Sequence, residues 1–314
     1  MSICLVCGSG ASVPAYQGSD RLYHTTTRQF QVVRCGKCGL LRLDPQPSRG
    51  ELRRFYPEKY WFAPDESAAG RMEESWRRIV LRDHVRFVTR ALRTAGSRGP
   101  LLDVGCGGGL FLGMMRERGF QVMGLDLSRE AASMAWRLHK SPAVVAEFAT
   151  APLRAASLAA VTMFHVVEHL YDPGSYLSGA RELLAPGGRL IVQVPNAASW
   201  QSRLLGGAWN GLDIPRHLFD LRDSDLEQLL KDAGFEVVRR KYFSLRDNPA
   251  GLASSLAPAL DPMARRLRRV AESGGARLIK DFTYFAMVLG ALPFAALEAA
   301  CGAGSTVMIE ARVR

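Results

Sequence analysis

The sequence predicts an α/β chain, an open and mostly parallel sheet with helices on its faces, preceded by a small cysteine-held module. Three observations predict it. Four cysteines stand as two C-x-x-C pairs, "CLVC" and "RCGKCG". The apolar run "PLLDV" opens through the glycine turn "GCGGG" into a helical pattern. A second apolar run, "LAAVTMF", stops at "HVVEH". Strand and helix patterns that alternate in this way build parallel sheets.

A chain of 314 residues, 47% of them hydrophobic, is long enough for one large domain and a smaller module. It carries no internal repeat and no long low-complexity tract. The N-terminus "MSICLVCGSG" has neither the basic segment nor the apolar segment of a secretory signal, so a cytoplasmic location is expected. The net charge of +11 fits a nucleic acid, an anionic membrane surface or an acidic small molecule. The basic residues are mostly arginines spread along the chain, a distribution that argues against nucleic acid as the principal substrate.

Cys4, Cys7, Cys35 and Cys38 form two knuckles with 27 residues between them, each followed by glycine (Gly8, Gly39). Two such pairs make a tetrahedral Cys4 site for structural zinc, closed to chemistry. Disulfides are the alternative, disfavoured in a chain without a secretory signal. The expected zinc ribbon covers 1–46, and a helical connector over the cofactor site covers 47–96. The connector includes "ESWRRIVLRDHVRFVTRAL", with Trp76, Ile79, Val80, Phe87 and Val88 on a helical period.

The run Leu101 to Val104 reads as a strand, with Gly105, Gly107 and Gly109 as the turn that opens a helix at Leu110. Such a turn lets a ligand approach the backbone closely. A dinucleotide fingerprint would need glycine at Leu110, and the carboxylate of Asp103 would repel a pyrophosphate. Asp126 ends the next strand, 23 residues after Asp103, where an acid can bridge the two hydroxyls of a ribose. A ribose, a positive charge and no phosphate point to S-adenosylmethionine (SAM). Glycines that only tighten the turn, with Asp126 as a helix cap, are the plainer reading.

At these residues the chain resembles the class I SAM-dependent methyltransferases, over about 97–246 and the last ten residues. "LDVGCGGG" matches their first motif and "GLDLS" their ribose-binding acid. The resemblance implies a Rossmann-like seven-stranded sheet with an antiparallel last strand. It places cofactor contacts at Asp103, Gly105, Cys106, Gly107, Asp126, Leu127, Glu147, Phe148 and Phe164. "LLAPGGRLIVQVPN" resembles the turn before strand five, and "DLEQLLKDAGFEVV" the penultimate helix and strand, with Ser224 and Glu227 as a capping box. The family's frequent Phe-Asp before strand four is replaced by "SLAAVTMF".

The five positions from His165 to His169 carry three competing readings: a zinc-hydrolase motif, a base or metal site of another enzyme, or packing at the end of a strand. H-x-x-E-H is a zinc-hydrolase pattern when it lies within a helix. Here it follows a strand-like run, which places it at the carboxyl edge where open α/β sheets bind ligands. Ubiquinone-biosynthesis O-methyltransferases carry E-x-x-E-H at this place, linked to a divalent cation. This resemblance implies a second cation near Glu168 and His169. His165 or His169 as general base on the acceptor, and plain packing beside the Asp172-Pro173 helix start, complete the set. Further on, Trp200, Trp209, Pro215 and His217 read as a lid over the acceptor, with His217 a further candidate base.

After the core at 97–246, residues 247–303 form a helical insertion before the last strand at 304–314. The uncharged run Phe282 to Leu297 is short for a membrane span, and Pro293 is expected to interrupt it. With Arg265, Arg266, Arg268 and Arg269 upstream, 264–300 suits a peripheral membrane contact or a homodimer face. The expected activity is methyl transfer, with oxygen favoured by resemblance, to a small-molecule or lipid-linked acceptor. The rivals are an RNA-associated methyltransferase, a nucleic-acid-binding module and a non-catalytic SAM sensor.

Overall fold

The computed structural model describes residues 3–57 and 68–314; residues 58–67 of the expected connector lie outside the described residues. The strands are β1 (Ser12–Gly18), β2 (Phe30–Cys35), β3 (Leu41–Leu43), β4 (Leu101–Val104), β5 (Val122–Asp126), β6 (Ala143–Val145), β7 (Leu158–Phe164), β8 (Leu184–Pro195), β9 (Phe219–Asp220), β10 (Phe235–Lys241) and β11 (Thr306–Val313). The helices are α1 (Arg49–Arg54), α2 (Ala68–Val80), α3 (Arg82–Ala95), α4 (Leu110–Arg116), α5 (Arg129–His139), α6 (Pro173–Leu183), α7 (Trp200–Leu205), α8 (Asp223–Asp232), α9 (Asn248–Leu256), α10 (Pro262–Leu267) and α11 (Gly274–Ala300).

The chain forms two compact units. One gathers 1–60, 195–226 and 247–307; the other gathers 61–194, 227–246 and 308–314. This grouping differs from the sequential segments expected above. The cysteine module does not end at 46, because β9 pairs with β3 (Leu41↔Asp220) and completes a four-stranded sheet, β1-β2-β3-β9. A three-stranded ribbon leaves an edge of unpaired amides, and the short β9 covers it.

The first unit also holds α9, α10 and α11. Asp261 caps α10 through the Ala264 amide at 2.9 Å and accepts the Ser254 hydroxyl at 2.6 Å, tying α9 to α10. Tyr284 of α11 joins Ser254 at 2.8 Å. The helix α11 runs unbroken through Pro293, contrary to the interruption expected there. Pro293 sits on the exposed side while Ala291, Ala295 and Glu298 are buried, so packing of the inner face carries the helix past the missing amide. Arg265 is also not a surface charge: it is buried and ion-paired to Glu272 and Asp281.

The second unit carries the seven-stranded sheet in the order β10-β11-β8-β7-β4-β5-β6. β4 runs parallel to β5 and β7, β5 to β6, and β7 to β8, while β11 is antiparallel to β10. This is the Rossmann-like class I methyltransferase architecture. Its central strands are buried on both faces, so they read as continuous apolar runs without alternation. Val85, Val88 and Ala91 of α3 share a core with Leu101, Leu112, Met115, Ala160 and Ile191. Val80, Phe87 and Val88 are buried as their period predicts, but Trp76 and Ile79 are exposed, because the helix breaks at Leu81 and α2 presents another face. The capping box also differs: α8 begins at Asp223, and Asp225 accepts the Arg222 amide at 3.0 Å. Glu227 pairs instead with Lys231 and Arg240.

Candidate active site

The order of strands reverses at β4, flanked by β5 and β7, and the glycine turn leaves β4 there. In open α/β sheets that switch point is where ligands bind. Gly105, Gly107 and Gly109 all adopt left-handed φ angles of 72°, 52° and 77°. A Cβ on Gly105 would stand 2.8 Å from Val166 Cγ2, and one on Gly109 only 2.6 Å from Ala135 Cβ. Only glycine fits this turn.

Two buried acids face the turn's chemistry. Asp103 accepts the Thr162 hydroxyl at 2.6 Å, and burial pushes its carboxyl up to about 7, with the charge of Asp126 adding to the rise. Asp126 accepts the amides of Gly107 at 2.9 Å and Ser128 at 2.8 Å; burial still raises its pKa. Acids held in this way, with amides as partners, suit a ligand that brings hydroxyls and positive charge. Leu127, next to Asp126, leaves 68% of its surface exposed.

The other expected contacts divide. Cys106 turns inward, where a Cβ on Gly124 would meet its sulfur at 2.5 Å, so its backbone is the part available to a ligand. Glu147 starts a short 3-10 turn after β6. Phe148 is buried and stacks on Tyr176 at 5.2 Å, which commits its ring to α6. Phe164 closes β7 with its ring edge-on to Phe111 at 5.1 Å and His84 at 5.3 Å.

His165 leaves the strand with φ of 56°, a left-handed conformation uncommon outside glycine. Its amide donates to the Gln193 carbonyl at 2.9 Å, Nδ1 lies 3.2 Å from Glu168 Oε1, and Nε2 lies 2.8 Å from the Gln193 side-chain amide nitrogen. The carboxylate requires the proton on Nδ1, so Nε2 carries the lone pair. Residues 167–169 form a single 3-10 turn, and Asp172 caps α6 through the Ser175 amide at 3.1 Å. His165 and His169 therefore do not share a helical face, and the zinc-hydrolase reading is set aside.

Sequence reasoning missed Gln193 and the pair Asp83–His84. Lys241 donates to Asp83 at 2.7 Å, as does His84 Nδ1 at 2.7 Å. Although burial raises it, these two partners hold the Asp83 carboxyl well below the usual carboxylate range. No motif marks the pair; an acid and a histidine opening a helix were the only signal. A cleft of about 420 Å³ in the same unit, lined by Arg86, Thr89, Arg90, Arg93, Thr94 and Arg118, contains none of the expected residues.

In the first unit, Cys4, Cys7, Cys35 and Cys38 are free thiols whose sulfurs all lie within 4.8 Å of one another. Sulfurs on one tetrahedral zinc stand about 3.8 Å apart, so the donor set fits. The stretch expected to be a lid is largely buried. His217 donates Nδ1–H to the Gly211 carbonyl at 2.7 Å, Trp209 is buried, and Arg216 is fully buried between Asp20 and Asp213.

A sequence model of the methyltransferase-domain family matches residues 71–240, more than half of the chain. The chain belongs to that family. It is a SAM-dependent methyltransferase. A ubiquinone biosynthesis O-methyltransferase from Cereibacter sphaeroides is 32% identical over 169 residues, covering 50% of this chain and 67% of its own. Another from Xanthomonas axonopodis is 31% identical over 164 residues, 48% and 67% of the two chains. Geranyl diphosphate C-methyltransferase from Streptomyces coelicolor, solved with magnesium, geranyl diphosphate and S-adenosyl-L-homocysteine, superposes with a TM-score of 0.50 at 16% identity. That match covers 86% of the methyltransferase described here and all of the other chain, and it supports the fold.

Proposed function

We propose that this methyltransferase methylates an oxygen of a small-molecule acceptor, with His165 as the general base. The observation that carries the proposal is His165 at the end of β7, oriented by Glu168 and Gln193. SAM, when bound, supplies an electrophilic methyl group on a sulfonium. Asp126 would take its ribose hydroxyls, Asp103 would lie towards its cationic end, and Leu127 and Glu147 would hold its base. The acceptor's hydroxyl displaces the Gln193 amide that occupies the lone pair of His165 Nε2; Nε2 then accepts the hydroxyl proton, and Glu168 stabilises the resulting imidazolium. The named activity of the curated relatives supports oxygen as the target.

A second reading of the same residues is a divalent cation. His165 Nδ1 and Glu168 Oε1 are 3.2 Å apart, close to the separation of adjacent ligands on one ion, and His169 follows on the same turn. His217 has its Nδ1 proton committed to Gly211, which leaves Nε2 as its basic atom and keeps it the runner-up base. Cys4, Cys7, Cys35 and Cys38 hold structural zinc. The RNA-directed reading is not favoured. Calorimetric titration with S-adenosylhomocysteine tests the site: micromolar binding that Asp126→Ala abolishes is expected. Equal binding by the variant refutes the assignment.

A further inference from the structure

We propose that the exposed face of α11 docks on the surface of an anionic lipid bilayer, lying in the interface without crossing it. The helix has 27 residues, about 40 Å at the usual rise. Val288, Ala291, Ala295 and Glu298 are buried on one side, where α9 packs against it. The other side presents Leu278, Ile279, Phe282, Phe285, Leu289 and Leu297, with Phe282 72% and Leu278 71% exposed. No charged residue interrupts Phe282 to Leu297, a stretch of about 24 Å. An 18-residue window of this helix has a mean hydropathy of 1.5 yet is only 22% buried. A core helix of that hydropathy would be mostly covered.

The inner face rules out a single span. Glu298 accepts the Gln201 backbone amide at 2.8 Å and its side-chain amide at 3.0 Å, so this side belongs to protein. A helix with one face on its own unit and an apolar opposite face lies along a membrane. Two observations select lipid over a second copy of the chain. First, exposed Arg266, Arg269 and Arg277 stand before and at the start of the stripe; of the nearby acids, Glu272 is engaged by Arg265 and Lys280, and Asp281 by Arg265 and, at 3.7 Å, by Arg277, so the cations outnumber the acids there. With a net charge of +11, two copies repel, whereas anionic headgroups attract. Second, the face offers no directional partner: Thr283, its hydroxyl, is already bonded to the Ile279 carbonyl at 2.8 Å. A bilayer asks for no such partner.

This inference is independent of the assignment of His165. The test is co-sedimentation of the full chain with phosphatidylglycerol–phosphatidylcholine vesicles and with pure phosphatidylcholine vesicles, alongside light scattering for oligomeric state. Binding should be about tenfold stronger on the anionic vesicles. Leu278→Asp combined with Phe282→Asp should weaken it by at least about tenfold, with thermal melting and S-adenosylhomocysteine affinity unchanged because both side chains are about 70% exposed. Arg266→Gln with Arg277→Gln should weaken it several-fold at low salt only. No vesicle binding, binding insensitive to the Asp substitutions, or a dimer that those substitutions dissociate would each overturn the proposal.

Discussion

Replacing Asp103 with asparagine should stabilise the unliganded enzyme while weakening its cofactor. The carboxyl is buried, and its folded pKa of about 7 stands well above the 3.8 of an unperturbed aspartate. Between those values the folded state binds more protons than the unfolded chain. Its contribution is therefore intact below the unfolded pKa and is lost as pH rises towards the folded one. Once both states are ionised, the cost is about 4 kcal/mol, from roughly 1.36 kcal/mol per unit. About 2 kcal/mol of this has already been lost near pH 5.

Other groups titrate in the same window with the opposite sign. His139 is pushed down to about 4 by burial, with Arg77 and Arg78 adding to the fall. Its neutral form is the folded one, so stability is lost as pH falls below its unfolded value. The raw stability curve therefore mixes two slopes, and the difference between variant and parent isolates Asp103. The Asp103→Asn side chain keeps an oxygen for the Thr162 hydroxyl, so the substitution removes charge with little change in packing. Urea denaturation should show the variant's advantage growing by about 2 to 3 kcal/mol between about pH 5 and about pH 8. Calorimetry should show weaker S-adenosylhomocysteine binding over the same range. A flat difference curve, or a variant less stable at the alkaline end, would refute a buried acid kept for a cationic ligand.

Further outcomes are expected at the base, the cation reading, the buried ion pair and the cysteine site. His165→Ala should lose about a hundredfold in turnover while S-adenosylhomocysteine affinity stays within a few-fold; Glu168→Gln should lose part of that and shift the pH–rate profile, whereas unchanged profiles would return both residues to packing. Adding magnesium after chelation should leave the parent rate unchanged if His165 is the base, and a magnesium-dependent recovery would favour the cation reading. Arg216→Met should cost about 3 to 5 kcal/mol by leaving Asp20 buried without its guanidinium, and Cys35→Ser should release about one zinc per chain, read by metal analysis and by loss of cobalt charge-transfer absorption.

What could be read from the sequence followed from range. The glycine turn, Asp126 and the end of β7 are local patterns, each fixed by a strand that stops and a backbone that must turn, and the structure places them on neighbouring strands at the switch point. Residues joined across long separations were invisible. Arg216 meets Asp20 at 2.8 Å across 196 positions, and Lys241 meets Asp83 across 158. Nothing in the hydrophobic period distinguishes an arginine bound for a buried ion pair from one bound for solvent. The expected lid failed for that reason: "GLDIPRHLF" has the polar, turn-rich look of a surface loop, yet its arginine is neutralised by two carboxylates and its Phe219 continues the ribbon sheet. Burial raises the pKa of Asp103 and Asp126, which have hydroxyl and amide hydrogen-bond partners and, for Asp103, only a weak opposing effect from the charge of Arg246, whereas Asp20 and Asp83 are hydrogen-bonded to cations that more than offset burial. The contrast separates acids that serve the fold from acids that await a ligand. It supports the proposed cofactor site at β4 and β5 and a structural role for the acids at Asp20 and Asp83.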